Sequence, residues 1–595
     1  MQKASFRFAL SPLMVAVAAA SLASFPAHAF QFDLADGEVS GSLDTTLSYG
    51  AMWRVTGPDK TNIGVIHGGS KPNANYDNGD LSYKRGEQVS SLFKMTNDLD
   101  LNYKNFGAFV RVSSWYDRAI ESKSFNVNRV DEKTIHNRLG HDYEILDAYV
   151  RGKFNVVGDK ATDVRIGKQV VSWGESTFIP NGINSINPVD VAKLRAPGAE
   201  LKEAFLPVNM LWASQEVTDN LTVEAFGQLE HKKTRLEPNG SYFSTNDFIS
   251  PGGSVIDIAG FDNTSLPFPP VPYLRRGADK DPRDSHQYGI AARLLVPELN
   301  NTEFGLYYMN YHSRIPYVSG KTGPAPGAAG TAGPNAAYYQ ADYPEDIALY
   351  GLSFSTPGPL GIALQGEYSY RPNMPVQVAA TDLLNALLTF NGGGQCTTPC
   401  AVGLGVMTPN TEYAGYKRVK FHQAQLTGTK SFGPQLGASQ VVAVAEAGYT
   451  YMDLPKDING KPIAFNGNGF DYVASVNSQA AATKQSYGYR VVARADYTNV
   501  IGAINLSPRV AFSHDLRGVS PTFNQGVKAA TLGVGASYQN NWQADLSYTN
   551  YFGGETYSAT VPVTVGGAPV VTPTKTTNNP LSDRDFIAAT VSYSF

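Results

Sequence analysis

The sequence predicts an all-β fold, a transmembrane antiparallel β-barrel of about eighteen strands, and three observations carry that prediction. Apolar and polar side chains alternate with period two in segment after segment. The connections alternate between tight turns and long loops. The last strand ends on an aromatic residue, Phe595.

The alternation is clearest at the start. Val39, Gly41, Leu43, Thr45, Leu47, Tyr49, Ala51 and Trp53 form one face, and Ser40, Ser42, Asp44, Thr46, Ser48 and Gly50 form the other. Successive strand side chains point to opposite sides, so this segment has a lipid-compatible face and a wet face. Tyr487, Tyr489, Val491, Ala493, Ala495 and Tyr497 repeat the pattern against Ser486, Gly488, Arg490, Val492, Arg494 and Asp496. Strands are expected near 38–55, 90–104, 107–118, 142–154, 161–172, 208–217, 220–231, 285–297, 301–314, 344–357, 360–372, 415–431, 439–453, 485–499, 501–516, 526–540, 541–552 and 584–595. Each is about as long as a tilted strand that crosses the hydrocarbon layer.

Tight turns fall near Asn105, Val156, Asp219, Asn300, Gly358, Gly433, Val500 and Asn540, while 232–284, 315–343, 373–414 and 553–583 are long. Short turns on the periplasmic side and long loops outside are the habit of outer-membrane barrels. With the first strand rising, both ends of the barrel lie on the periplasmic side. Ile587, Ala589, Val591, Tyr593 and Phe595 share one face of the final strand. A water-soluble stack of so many half-apolar strands would need a second layer. Closure in lipid satisfies every backbone group without one.

Lys3 and Arg7, the apolar stretch from Phe8 to Phe25, and Ala27-His28-Ala29 have the layout of a cleaved secretory signal peptide, residues 1–29. Its removal takes the net charge from −4 to −6, leaving the barrel over 30–595. About nine residues then precede Val39, too few for a plug domain. The chain is polar on average (mean hydropathy −0.23) with 17% charged residues and abundant Gly and Tyr. That composition fits strands with wet loops and aromatic girdles, and its mild acidity argues against a nucleic-acid partner. Cys396 and Cys400 are expected to form a local disulfide in an oxidising compartment. A metal site is the alternative, but no His lies nearby and two thiolates do not complete a tetrahedral set. No cofactor is expected.

Loops 232–284, 315–343 and 373–414 are Gly-, Pro- and Ala-rich and are expected to be solvated. The connection 173–207 differs. Phe178, Ile179, Ile183, Ile186, Val189, Val191, Leu194, Leu201 and Phe205 make it too apolar for open water. By strand count it joins the fifth and sixth strands, which resembles the position of the inward-folded constriction loop in general porins. Its candidate constriction residues are Trp173, Glu175, Asp190, Lys193, Arg195, Glu200, Lys202 and Glu203. Opposed charges there would set a transverse field across a pore. A compact external cap is the other reading.

By phase, Arg111, Asp147, Arg151, Arg165, Glu224, Arg293, Glu367, Arg371, Glu446, Arg490, Arg494 and Arg509 face the lumen. They would either bond across the wall or line a wet channel.

Several stretches carry a family resemblance. They are Gly41-Ser42-Leu43-Asp44-Thr45-Thr46-Leu47-Ser48-Tyr49-Gly50, Leu146-Asp147-Ala148-Tyr149-Val150, Arg165-Ile166-Gly167-Lys168-Gln169-Val170-Val171-Ser172-Trp173-Gly174-Glu175-Ser176, Asn187-Pro188-Val189-Asp190-Val191 and Pro197-Gly198-Ala199-Glu200. With them the chain resembles the proteobacterial family called domain of unknown function 1302. The last strand, ending on Phe595, resembles the signal that the barrel-assembly machinery of Gram-negative bacteria recognises. The resemblance to the family implies a porin-like outer-membrane protein. It also implies association with a periplasmic envelope protein and a resistance–nodulation–division type inner-membrane exporter, and with lipophilic compounds as cargo. It brings no site residues.

The leading functional expectation is a non-enzymatic channel for small hydrophobic or amphipathic molecules. A loop-mediated adhesin or receptor is the alternative. A barrel lipase or protease would need a Ser or Asp paired with one of His312, His422 or His514, and no linked trio stands out.

Overall fold

The computed structural model describes residues 30–34, 37–127, 129–257, 273–323, 337–380, 383–384, 387, 408–456, 463–467, 481–539, 541–565 and 568–595, without the side chains of 559–572. A short strand, β1 (Phe30–Leu34), precedes the barrel. Barrel strands β2 (Val39–Arg54), β3 (Gln88–Tyr103), β4 (Phe106–Asp117), β5 (His141–Val157), β6 (Lys160–Gln169), β7 (Val208–Glu216) and β8 (Leu221–Gln228) follow. The next loop carries β9 (Val255–Asp257) and β10 (Tyr273–Arg276) before barrel strands β11 (Tyr288–Val296) and β12 (Thr302–Tyr311). Loop strands β13 (Tyr317–Lys321) and β14 (Tyr338–Asp342) lead to β15 (Ile347–Pro357) and β16 (Ile362–Gln377). After β17 (Glu412–Tyr413) the barrel resumes with β18 (Tyr416–Ser431), β19 (Gln440–Met452), β20 (Gln485–Ile501), β21 (Ile504–Arg517), β22 (Val527–Tyr538) and β23 (Trp542–Gly553). A loop hairpin, β24 (Thr556–Val565) with β25 (Ala568–Thr577), precedes the closing strand β26 (Phe586–Ser594).

All pairings in the barrel are antiparallel between neighbours, and β26 returns to β2 with Thr46 opposite Ser594 and Arg54 opposite Phe586. Eighteen strands therefore form a closed ring, as the alternation predicts. β26 stops opposite Thr45, and below it β1 takes the same edge of β2, with Phe30 opposite Leu43 and Leu34 opposite Val39. The Phe32 ring lies where a Cβ on Gly41 would sit, 2.4 Å away. The alternation Phe30, Phe32, Leu34 is the signal that could have revealed β1.

Phase follows sequence. Leu306, Leu352, Leu426 and Leu532 are at least half exposed on the outer wall, while Arg54, Glu446 and Arg371 on the opposite phase are buried inside. An apolar band outside and polar groups within are what a lipid-spanning barrel requires. Tyr288, Tyr308, Tyr350, Tyr370, His422 and Tyr451 pass ring to ring across six strands at centroid spacings of 4.6–6.4 Å, forming one aromatic girdle near the long-loop end. Trp542, Tyr593 and Phe595 cluster at the other end.

Two expectations change. Strand β16 runs to Gln377 rather than 372, because a bulge between Arg371 and Met374 lets it continue into the loops. The loops 232–284, 315–343 and 373–414 are not bland and solvated where they are described. Strands β9, β10, β14, β13 and β17, drawn from all three, form one five-stranded sheet. Phe248, Leu274, Val318, Tyr339, Val376 and Leu387 are buried together with the barrel's Phe421 and Met452. Their apolar residues lack local periodicity, so no single loop signals burial; several loops meeting at one mouth bury one another. Cys396 and Cys400 and the signal segment 1–29 lie outside the described residues.

Candidate functional site: a loop anchored across the lumen

The chain leaves β6 at Gln169 and returns at Val208, and the loop between them lies against the inner wall of strands far around the barrel. Asn187 fixes its neck. Its side chain donates to the carbonyls of Gln169 (3.1 Å) and Leu206 (3.0 Å) and accepts from the Val171 amide (2.9 Å). Arg314, from the β12–β13 connection, donates to Ile186 O (3.0 Å) and Gln228 Oε1 (2.6 Å).

Two wall carboxylates hold the tip. Glu367 on β16 accepts from the backbone amides of Glu175 (2.7 Å), Ser176 (3.1 Å) and Ile183 (2.9 Å). Glu446 on β19 accepts from those of Thr177 (2.9 Å), Phe178 (2.6 Å) and Ile179 (2.8 Å). Successive amides turned toward one anion make a nest, and charge-assisted bonds of this kind are the stronger ones. Glycine permits the approach: a Cβ at Gly182 would meet Glu367 Oε1 at 1.9 Å, and one at Gly174 (φ +85°) would meet Oε2 at 2.4 Å. Arg371, buried beside them, donates to the carbonyls of Asn181 (2.9 Å) and Gly182 (2.7 Å), to Ser185 Oγ (3.0 Å) and to Tyr311 Oη (2.8 Å). Gln423 donates to Pro180 O at 2.7 Å. The apolar loop side chains fill the remaining contacts, with Ile183 and Ile186 packed against Val208, Tyr307, Met309 and Leu349.

The sequence-predicted residues divide by role. Trp173 is buried, donates from Nε1 to Glu224 (2.9 Å) and packs on Phe226 and Tyr307. Asp190 caps the helical turn Val191–Arg195 and pairs with Arg235 at 3.5 Å. Lys193 lies over Trp115 and pairs with Glu144 at 3.1 Å, which also takes two bonds from Arg235. Arg195 stands 3.8 Å from Glu237, and Glu200 pairs with Lys202 at 3.0 Å. Buried Glu203 accepts from Lys94 and from Thr96 Oγ1 (2.6 Å). Glu175 has no ion-pair partner among the described residues; burial raises its carboxyl above the usual range, opposed by Arg293.

Most lumen charges bond to one another along the wall. Arg111 grips Asp98 through two 2.7 Å bonds and reaches Asp147 at 3.4 Å. Arg151 bonds Asp100 (2.7 Å), Arg293 bonds Glu224 (3.0 Å), Arg490 bonds Asp515 (2.6 Å), Arg494 bonds Asp496 (3.0 Å) and Arg509 bonds Asp545 (2.9 Å). Arg165 lies over the Trp212 ring at 4.6 Å.

The anchoring duty of Glu367 and Glu446 was invisible in sequence because their partners are backbone amides. His422 and His514 sit on the outer wall among Tyr370, Tyr451, Tyr489 and Phe512, as girdle residues. His312 is buried between Ser285 O and the Asp346 amide.

The sequence profile of the family described as protein of unknown function (DUF1302) matches residues 10–595. No curated protein matches the chain. Among solved structures, it is similar to Acinetobacter baumannii OccAB1, at 9% identity over 96% of this chain and 98% of that chain, with a TM-score of 0.41. It is also similar to a BenF-like porin from Pseudomonas fluorescens Pf-5 (8% identity, 93% and 98% covered, TM-score 0.39). A third is the outer membrane channel DcaP of Acinetobacter baumannii (9%, 95% and 99%, TM-score 0.32).

Proposed function

The chain belongs to the DUF1302 family over residues 10–595, and from that premise we propose that it is an outer-membrane channel of a Gram-negative bacterium passing small hydrophobic or amphipathic molecules. One observation supports the reading most: a loop laid along the inner wall and fastened by Glu367, Glu446 and Arg371. Such a loop is a constriction, and the lumen it narrows is the solute path. No chemical step is involved. The charges on 190–203 are held in ion pairs, so in this reading they fix the loop's position more than they generate a field. The barrel-assembly machinery inserts the chain, and the periplasmic envelope protein and the exporter implied by the resemblance act on the same cargo.

Planar-bilayer recording tests this. The purified barrel is expected to conduct, and removal of 174–186 is expected to raise the unit conductance several-fold. A barrel that stays silent both with and without 174–186 would sink the proposal.

A further inference from the structure

Strand β5 outruns its neighbour. Its pairing with β6 runs from Val157 only as far as Ala148, which stands opposite Lys168. Among the described residues no strand or bridge flanks 141–147 on that side. Strands β6 and β7 both stop at this level, with Lys168 opposite Asn209 and Gln169 opposite Val208. Side chains take the place of the missing strand. The Tyr143 amide donates to Asp142 Oδ1 (2.8 Å), and Lys168 Nζ donates to the Ile145 carbonyl. Backbone that faces lipid has to be satisfied in some such way.

The chain beyond β8 supplies the far side. The Leu229 amide bonds Asn209 O (2.8 Å), Lys232 Nζ reaches Pro207 O (2.8 Å), and Arg235 crosses to grip Glu144 on β5. The wall therefore has a notch between 141–147 and 229–232, floored by the ends of β6 and β7. The 173–207 loop forms its back, where Lys193 also pairs with Glu144 and Arg235 bonds the backbone of Val189 and Val191.

The notch opens toward lipid. Tyr49, Phe93 and Tyr116 are exposed and pair rung to rung on the outer wall, with His141 opposite Tyr116. Exposed aromatics of this kind mark a membrane interface. Tyr143 and Ile145 lie further down β5, 73% and 47% exposed, and Leu229 across the gap is 62% exposed. Lys168 and Lys232 stand at the floor. Neither is in an ion pair among the described residues; each donates to one backbone carbonyl, although an ammonium carries three donors. The carboxylates that face Lys232 are engaged, since Glu230 accepts the Asn209 amide (3.0 Å) and Glu144 holds Lys193 and Arg235. Burial, with Lys168 nearby, lowers the Lys232 ammonium to about 8. Apolar side chains over two unpaired cations fit an anion that carries an apolar body.

We propose that this notch is a lateral entry site for single-chain amphipathic anions, such as a long-chain carboxylate. The charged head lies between Lys168 and Lys232, and the tail runs along Tyr143, Ile145 and Leu229. With the 173–207 loop as its back, the notch sits between lipid and lumen, which suits a passing molecule better than a resident diacyl lipid. Passage onward to the lumen rests on the channel reading; occupation of the notch does not.

Photolabelling of the purified barrel in phosphatidylcholine vesicles tests it, with diazirine-bearing dodecanoate, dodecanol and dodecylammonium as probes. The carboxylate is expected to label 141–147 and 229–232 saturably, about tenfold more than the alcohol or the ammonium. Lys168→Gln combined with Lys232→Gln is expected to cut that labelling about tenfold, and Lys168→Arg with Lys232→Arg to retain it. Heat-modifiable migration checks that both variants fold. Equal labelling by the alcohol, labelling spread evenly over the outer wall, an unchanged glutamine variant, or displacement of the carboxylate by equimolar dioleoyl phosphatidate would each overturn the site. A labelled barrel that carries no current would overturn the channel reading alone; a conducting barrel without labelling at the notch would overturn the site alone.

Discussion

Six backbone amides of one loop end on two carboxylates, Glu367 and Glu446. Each bond to a charged group contributes about 1.5–3 kcal/mol, so the pair holds the tip of the 173–207 loop to the inner wall. Glu446→Ala leaves three amides without an acceptor. Hydrogen exchange at Thr177–Ile179 is expected to accelerate roughly a hundredfold, corresponding to about 3 kcal/mol. Glu446→Gln, which keeps one neutral carbonyl acceptor, should fall between. Unchanged exchange in the alanine variant would show that Glu446 does not hold the loop. Period two assigned both glutamates to the lumen from the sequence. Their partners could not be found there, because an amide carries no residue identity.

Between elements, the packing of one loop on another carries a titratable contact. His231, following β8, has Nδ1 3.2 Å from Arg314 Nη1, and its Nε2 is buried with no hydrogen-bond partner among the described residues. Burial, with Arg314 beside it, lowers the imidazole to about 4. The folded pKa lies below the ordinary value of 6.5, so the fold favours neutral His231. Its contribution is present above pH 6.5 and is lost as the pH falls from 6.5 toward about 4. The loop assembly around Arg314 is therefore expected to loosen on acidification across that window. Exchange protection of 312–318 measured from pH 7 to 4 should fall in the native chain and lose most of that slope in His231→Gln. An equal slope in both would refute the assignment. These loops looked solvated in sequence because apolar residues such as Val318, Tyr339 and Leu274 are spaced without a period. Only their meeting at one mouth buries them.

At the scale of the molecule, closure decides the energetics. With β26 paired to β2, no barrel edge is left unpaired and the outer wall presents leucines to lipid. Leu352 lies at the middle of β15 opposite Leu306. Leu352→Arg is expected to cost about 2–4 kcal/mol in a reversible urea titration in bilayers. A cost below about 1 kcal/mol would place that face away from the hydrocarbon.

The sequence by itself determined the eighteen strands, their phase, the alternation of turns and loops, and the identity of the apolar loop between the fifth and sixth strands. All of these are local: period two and turn chemistry are written within a few neighbouring residues. The tertiary structure alone decided that β1 completes the edge below β26, that three loops share one sheet, and that Glu367, Glu446 and Arg371 fasten a segment nearly two hundred residues away or more. It also decided that 190–203 packs over strands β3 and β4 through the Lys94–Glu203 pair and the stacking of Lys193 on Trp115. Those facts depend on contacts between distant segments and on backbone groups common to every residue, and neither leaves a mark in the order of side chains.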